Sequence, residues 1–304
     1  MLLETIDILN KCLGFLALLL FIFGFIGNTQ TILVCKRKAL KNITTFKFLM
    51  AISTSDIFAL SVWNMNLFLR AYFGIVQEYL SLTWCRISIF FQYSSLQFSV
   101  WVLVFLSIDR YLSVYYNGWR KLYSTPRNAN IFILCLGFII SLLNCHLLIL
   151  NGFDEIVNGT IIVKCYSPKF FFEFTTYIPI YHKFHLYFYS LIPFCILLIV
   201  NLLLIKNSFK PIKLRGLVSR QRKEKAKTLS YTIVALTFMF FFTSLPYTLT
   251  AAYWYYQIID TQLSYFLYHL LTFVSFTYHG FNFIVFYCTN IKFWKEFKLM
   301  YNLK

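Results

Sequence analysis

Residues 12–35 read CLGFLALLLFIFGFIGNTQTILVC, a continuously apolar stretch that is long enough to cross a lipid bilayer as one helix. A helix needs about 20 mostly apolar residues to span roughly 30 Å of hydrocarbon. Further stretches of this kind cover residues 46–70, 82–115, 128–150, 184–206, 226–256 and 262–287. Each is too long for a barrel strand, and only helices or closed barrels satisfy the backbone inside lipid. The sequence therefore predicts an all-α membrane protein, a seven-transmembrane helix bundle.

The composition of the chain supports this fold. Of its 304 residues, 59% are hydrophobic and 13% charged, whereas a soluble domain carries about 25% charged residues. We expect a single domain over residues 1–304, with a short segment 1–11 before the first span and an amphipathic helix and tail over 288–304. The start of the chain contains Glu4 and Asp7 and lacks the basic region of a cleavable signal peptide. The first span is therefore expected to remain as an anchor.

The net charge of +17 is distributed unevenly between the two sides of the bundle. Lys and Arg crowd the connections after the first, third and fifth spans and the tail, and the connection 206–227 is the most basic. The positive-inside rule then places the amino terminus outside and the carboxy terminus in the cytoplasm, which requires an odd number of spans. This layout predicts a multi-pass plasma-membrane protein whose basic face meets anionic membrane lipids, and it argues against nucleic acid as a partner.

Two cysteines and one sequon fall on the side assigned to the exterior. Cys85 starts the third span and Cys165 lies in the long loop after the fourth, so both face an oxidising compartment where a disulfide persists. Asn158 begins the sequon Asn-Gly-Thr, which predicts glycosylation, and its Asn-Gly pair also suits a hairpin turn. The same pattern at Asn42 lies on the cytoplasmic side and is interpreted as chance.

Short polar motifs recur at fixed places in the spans and give the chain its resemblance to a known family. They are Gly27-Asn28, Ser55-Asp56, Asp109-Arg110-Tyr111, Pro193, Phe240, Pro246 and Asn282, followed by the amphipathic run Asn290 to Met300. In order, spacing and membrane side the chain resembles the rhodopsin-like (class A) G-protein-coupled receptors. The blocks 94–99 and 279–283 are similar to those of invertebrate neuropeptide receptors in particular.

The resemblance implies a role for several of these positions. A G-protein-coupling switch is implied for Asp109, Arg110, Tyr111, Asn201 and Asn282, and a transmission region for Val100, Pro193, Phe240 and Pro246. Ordinary core packing is the alternative for the transmission residues, and snorkelling to headgroups is the alternative for Arg110.

The sequence also departs from the family pattern in the switch and transmission regions. The acidic partner at the base of the sixth span is replaced by Ala226, with Glu224 offset by half a turn, which predicts high resting activity. Ser244 stands where a tryptophan is usual, and Phe283 and Phe286 replace the proline and tyrosine of the motif after Asn282.

Asp56 is an acid near mid-membrane, which marks a functional site by default. The resemblance implies a structural sodium ion and water held by Asp56, Ser99, Asn28 and Asn282, and no other cofactor is expected. Hydrogen-bonded packing is the alternative role for Asp56. Bulky side chains at Tyr278 and His279 replace the smaller polar ligands of related receptors.

Several residues bear on the class of ligand. Gln92 replaces the carboxylate that amine receptors need, and residues 261–291 contain no lysine for a retinal Schiff base. A bridged outer loop with a hairpin through 156–164 favours an extracellular peptide over a small-molecule agonist. The candidate pocket residues, for which bundle packing is the alternative, are Gln92, Tyr93, His185, Tyr247 and Tyr268.

The predicted function is a receptor that binds an extracellular neuropeptide and activates a heterotrimeric G protein, with arrestin as a further partner. The basic loop 208–228 would frame the G-protein cavity together with Tyr115, Tyr116 and Arg120. A diverged, non-signalling receptor and a seven-helix transporter or channel are the alternatives. The chain shows no nucleophile–base pair, metal spacing or phosphate loop, so an enzyme is not expected.

Overall fold

The computed structural model describes residues 2–116, 118–165, 174–208, 217–254 and 261–302. Its long helices are Leu2–Cys35, Thr44–Phe73, Leu82–Tyr115, Pro126–Asn144, Phe174–His185, Ile192–Ser208, Leu217–Tyr253 and Gln262–Thr289. Short helices cover Gln77–Tyr79, Trp119–Leu122, His146–Leu150 and Ile291–Met300, and a π-helix covers Leu186–Leu191.

Seven segments of these described helices are long and apolar enough to cross a membrane, which confirms the predicted fold. In chain order they are Leu3–Cys35, Thr44–Phe73, Leu82–Ser113, Pro126–Leu150, Ile180–Lys206, Tyr231–Tyr253 and Gln262–Thr289, and they are called the first to seventh spans below.

The third span is the most buried of the seven and the fourth is the least. The third packs against the second, fourth and fifth spans, while the first packs against the second and seventh. The sixth lies between the fifth and the seventh. The third span is therefore the axis around which the polar side chains of its neighbours meet.

Several helix ends follow from local capping signals in the sequence. Ser81, Thr125, Thr261 and Asn290 each precede a helix, and each side chain accepts a hydrogen bond from a backbone N–H in the first turn. Gly74 ends the second span with φ of 66°, a left-handed conformation that glycine adopts without steric cost.

The first helix begins earlier than the apolar stretch 12–35 predicted, because it is helical from Leu2. Ile6 and Leu13 lie on the same face and are buried in a cluster with Leu67 and Phe266 of the second and seventh spans. Burial of this face stabilises the extra turns. Most of the segment 1–11 is thus a helical extension of the first span.

The fifth span contains a π-helical turn that was not predicted from the sequence. Ile192 N–H donates to the carbonyl of Tyr187, five residues earlier. Pro193 follows directly and has no N–H, so the usual ladder is already interrupted at this place. The turn inserts one residue between the two halves of the span.

The loop after the fourth span forms the predicted hairpin. Strand β1 (Phe153–Val157) pairs antiparallel with strand β2 (Thr160–Lys164), and the turn residues Asn158 and Gly159 both have positive φ, as an Asn-Gly turn requires. Cys165 follows β2 and forms a disulfide with Cys85, which confirms the predicted bridge.

The surface helix Ile291–Met300 follows the seventh span, as predicted. Phe283 and Phe286, the two departures from the family motif, pack at its start, where both rings contact Phe293 and Phe283 also contacts Phe297. Glu296 forms an ion pair with Arg37 at 2.7 Å. The two phenylalanines therefore join the seventh span to the surface helix through an apolar ring cluster.

Candidate functional site

The centre of the bundle is built around the carboxylate of Asp56, which is fully buried. Its Oδ1 accepts hydrogen bonds from Ser99 Oγ at 2.8 Å and from His279 Nδ1 at 2.6 Å, and its Oδ2 accepts one from Asn282 Nδ2 at 2.5 Å. A buried carboxylate is costly unless donors surround it. The second, third and seventh spans are therefore held together at this group.

His279 extends this cluster toward two further spans. Its Nε2 lies 3.2 Å from the hydroxyl of Tyr189 in the fifth span, and its carbonyl accepts from Asn28 Nδ2 of the first span at 3.0 Å. Asn28 thus reaches the backbone of His279 rather than the carboxylate of Asp56. The hydroxyl–imidazole–carboxylate row Tyr189–His279–Asp56 is called the central chain below.

The central chain touches the residues assigned to transmission. The ring of Phe240 in the sixth span lies edge-on to the rings of Tyr189 and Tyr278, at 5.3 Å from each. Phe240 and Val100 are both fully buried. A movement of the sixth span must therefore displace Phe240 against a ring that belongs to the central chain.

Toward the Cys85 end of the bundle, aromatic rings continue from the central chain. His185 stacks on Tyr189 with ring centroids 4.7 Å apart, and Tyr93 meets His185 at 4.9 Å. Tyr247 and Tyr268 form a second pair at 5.6 Å between the sixth and seventh spans. The predicted pocket residues therefore fall into two groups, and Gln92 is a further buried polar side chain at this end.

Several buried polar atoms at this end have no hydrogen-bond partner among the described residues. They include both ring nitrogens of His185 and of His269 and both amide atoms of Asn64. Native interiors rarely leave such groups unsatisfied, because each unpaired group costs about 1–3 kcal/mol. Water or a polar ligand would satisfy them.

At the opposite end, Arg110 is paired with the adjacent Asp109, and two residues of the following loop complete the site. Trp119 Nε1 donates to Asp109 Oδ1 at 3.2 Å, and Ser124 Oγ donates to Oδ2 at 3.1 Å. Arg110 Nη2 lies 3.4 Å from the Ser124 hydroxyl. Thr44 of the second span binds the Ser124 carbonyl at 2.8 Å and so anchors the loop.

The sixth span is tied to its neighbours near the Arg110 end by two polar contacts. Asn201 Nδ2 donates to Thr237 Oγ1 at 2.8 Å, and Thr289 Oγ1 donates to Thr232 Oγ1 at 2.7 Å. The first bond joins the fifth and sixth spans, and the second joins the seventh and sixth spans.

A family model described as 7 transmembrane receptor (rhodopsin family) matches residues 27–286. The chain belongs to this receptor family. It is 31% identical to a galanin-like G-protein coupled receptor of Caenorhabditis elegans over 40% of the chain. It is 28% identical to a G-protein coupled receptor homologue of fowlpox virus over 44% of the chain, and 25% identical to a G-protein coupled receptor of equine herpesvirus 2 over 55%. The matched segments span 27%, 38% and 43% of these relatives, respectively.

The receptor brings together most residues that the sequence predicted for its centre. Asp56, Ser99 and Asn282 meet directly, whereas Asn28 joins through His279. Tyr189 was not predicted from the sequence, although a tyrosine four residues before Pro193 in an apolar span was a usable signal. Trp119 and Ser124 were also missed, and nothing local distinguishes them from ordinary loop residues.

Some predictions about the receptor lie outside the described residues. Residues 209–216 of the basic loop are among these, and the side chains of Glu224 and Ala226 are not described either. The predicted lack of an acidic restraint, with its high resting activity, stays a prediction. Tyr111 is half-buried one residue after Arg110, and Tyr116 is exposed at the end of the third helix.

Proposed function

We propose that this receptor binds an extracellular ligand at the Cys85 end and activates a heterotrimeric G protein at the Arg110 end. The observation that carries the proposal is a row of direct contacts from Tyr93 through His185 and Tyr189 to His279 and Asp56. A ligand that displaces His185 would change the packing of Tyr189. Because the ring of Phe240 in the sixth span packs against Tyr189, its position would change as well.

Two features support a peptide as the ligand. The hairpin loop is fastened by the Cys85–Cys165 disulfide, and at its tip Ile156 and Ile161 are opposite each other and 75% and 71% exposed. They share a face with Val163, which packs against the disulfide cluster. Exposed apolar side chains on the hairpin and unpartnered polar groups in the bundle, both toward the Cys85 end, suit a ligand that carries both kinds of group along an extended chain.

The name of the nematode relative points the same way, since a galanin-like receptor is one for a peptide. A small-molecule agonist is the alternative.

At the Arg110 end, the proposed resting state is the one described above. Asp109 holds the guanidinium, and Ser124 and Trp119 hold Asp109. An agonist would favour a second state in which the sixth span moves away and Arg110 contacts the G protein, and the shift equals the differential affinity of the agonist for the two states. Arrestin would use the same opening. Breaking the bonds of Thr232 and Thr237 is part of the cost of this movement.

The test is a neuropeptide-library screen in cells that carry a promiscuous G protein. A peptide that signals through wild type and binds Arg110→Ala without signalling supports both halves of the proposal. Ser113→Ala is the matched control, because this nearby hydroxyl has no hydrogen-bond partner among the described residues. Binding without coupling in wild type would instead indicate a non-signalling receptor, and ligand-dependent uptake or current without a G protein would indicate a transporter or channel.

A further inference from the structure

We infer that His279 takes the place of a bound cation beside Asp56, so that the stability of the folded receptor is independent of sodium. The inference concerns the central chain alone and does not depend on the proposed ligand or on G-protein coupling.

The donor set around Asp56 does not fit a sodium ion. An ionised carboxylate has about four lone-pair positions, and donors from Ser99, His279 and Asn282 already fill three of them. Each of these donors directs a hydrogen with partial positive charge at the oxygen that a cation would need. The imidazole is the closest donor to Oδ1, at 2.6 Å, and it is fully buried. A sodium ion that binds Oδ1 would have to displace it.

The imidazole keeps this position whether it is neutral or charged. In the neutral tautomer with hydrogen on Nδ1, Nδ1 donates to Asp56 and Nε2 accepts from the Tyr189 hydroxyl. In the cation, Nε2 donates to the same hydroxyl. The contacts of 2.6 Å and 3.2 Å on the two sides of the ring are compatible with both forms. The exclusion of sodium therefore follows from occupancy of the position and not from the charge of the ring.

Further oxygen atoms belong to residues that contact His279 or Asp56. The amide oxygens of Asn28 and Asn282 are buried and have no hydrogen-bond partner among the described residues. Together with the Asp56 carboxylate and the Ser99 hydroxyl, they are oxygen ligands of the kind that a hard cation prefers. Removal of the imidazole would take one donor away from Asp56 Oδ1 and leave a space of side-chain size beside this carboxylate. His279→Ser should therefore create sodium binding that wild type lacks.

The experiment measures thermal unfolding of the purified receptor in sodium chloride and in choline chloride at equal ionic strength. We expect equal melting temperatures for wild type. For His279→Ser we expect a sodium-specific rise of roughly 2–4 °C, because a ligand that binds only the folded state stabilises it. The rise should disappear in the double variant with Asp56→Asn. His279→Asn is the conservative control, since its amide can still donate to Asp56 and should keep the receptor insensitive to sodium.

A sodium-specific rise in wild type that Asp56→Asn abolishes would overturn the inference. A folded His279→Ser variant with the same melting temperature in sodium chloride and in choline chloride would also overturn it. If His279→Ser does not fold, the wild-type comparison still decides whether sodium is excluded, and His279→Ala provides a second variant without the imidazole.

Discussion

Replacement of Ser124 by alanine tests the resting-state contact at the Arg110 end with the loss of a single hydroxyl. That hydroxyl donates to Asp109 Oδ2 at 3.1 Å and lies 3.4 Å from Arg110 Nη2. Hydrogen bonds to charged groups contribute about 1.5–3 kcal/mol net. These two are long and the site is half-buried, so we take about 1 kcal/mol. Trp119 keeps its own bond to Asp109.

If the resting state alone makes these contacts, losing about 1 kcal/mol shifts the resting-to-active ratio about fivefold. Ligand-independent nucleotide exchange should rise by the same factor while the active fraction stays small. The assay is basal GTPγS binding in membranes, normalised to receptor number, with a G protein to which the receptor couples. Ser113→Ala is the control, because its hydroxyl has no partner among the described residues and its removal should change nothing.

Basal exchange in Ser124→Ala equal to that of wild type, at equal receptor number, would refute this account of the resting state. A fall in exchange would refute it as well, because it would show that the hydroxyl serves the active state. Trp119→Phe removes the indole N–H at 3.2 Å and should raise basal exchange in the same direction.

Three further predictions concern stability and orientation. Asn66 Nδ2 donates to both carboxylate oxygens of the buried Glu78, so Asn66→Asp should cost about 2–3 kcal/mol of unfolding free energy, and Glu78→Gln in the same chain should restore most of it. A Cβ added at Gly14 would lie 2.7 Å from the Cβ of Ala71 in the second span, so Gly14→Ala should cost about 1–3 kcal/mol of unfolding free energy. A Cβ added at Gly137 would lie 3.5 Å from the ring of Phe98, an ordinary contact distance, so Gly137→Ala should be tolerated. Asn158→Asp should remove an enzyme-sensitive glycan without loss of folding, since aspartate also adopts the positive φ of this turn.

Each of these predictions has a direct readout. Thermal melts of the purified receptor measure the first two; an additive double variant at positions 66 and 78, or equal costs at Gly14 and Gly137, would contradict them. Electrophoretic mobility after glycosidase treatment measures the third. A glycan that survives Asn158→Asp and is lost on Asn42→Gln would place the hairpin on the wrong side of the membrane.

The features that the sequence predicted well are the ones that local patterns encode. The length of the apolar stretches predicted the spans, and the pair Asn158-Gly159 predicted the hairpin turn. The alternation of Phe and Lys after Asn290 predicted the surface helix. The Cys85–Cys165 bridge followed from topology, because both residues were assigned to one side.

The features that were missed depend on contacts between distant parts of the chain. The apolar rule that set the first span at residue 12 could not count Ile6, since its partner Phe266 lies at the far end of the sequence. The contact between His279 and Asp56 depends on the rotation of the seventh span against the second. The contact between Ser124 and Asp109 depends on how Thr44 anchors a loop. The length and apolar content of a span do not specify such contacts.

The π-helical turn at Leu186–Leu191 affects how side chains of the fifth span should be matched to those of relatives. One added residue rotates everything before it by about 100° relative to an uninterrupted helix. A position counted back from Pro193 to His185 on a regular helix would point to a different neighbour than the one His185 has here. Deleting one residue between His185 and Tyr189 should therefore restore regular winding and rotate His185 away from Tyr189, so that the candidate pocket changes while every predicted pocket residue is retained.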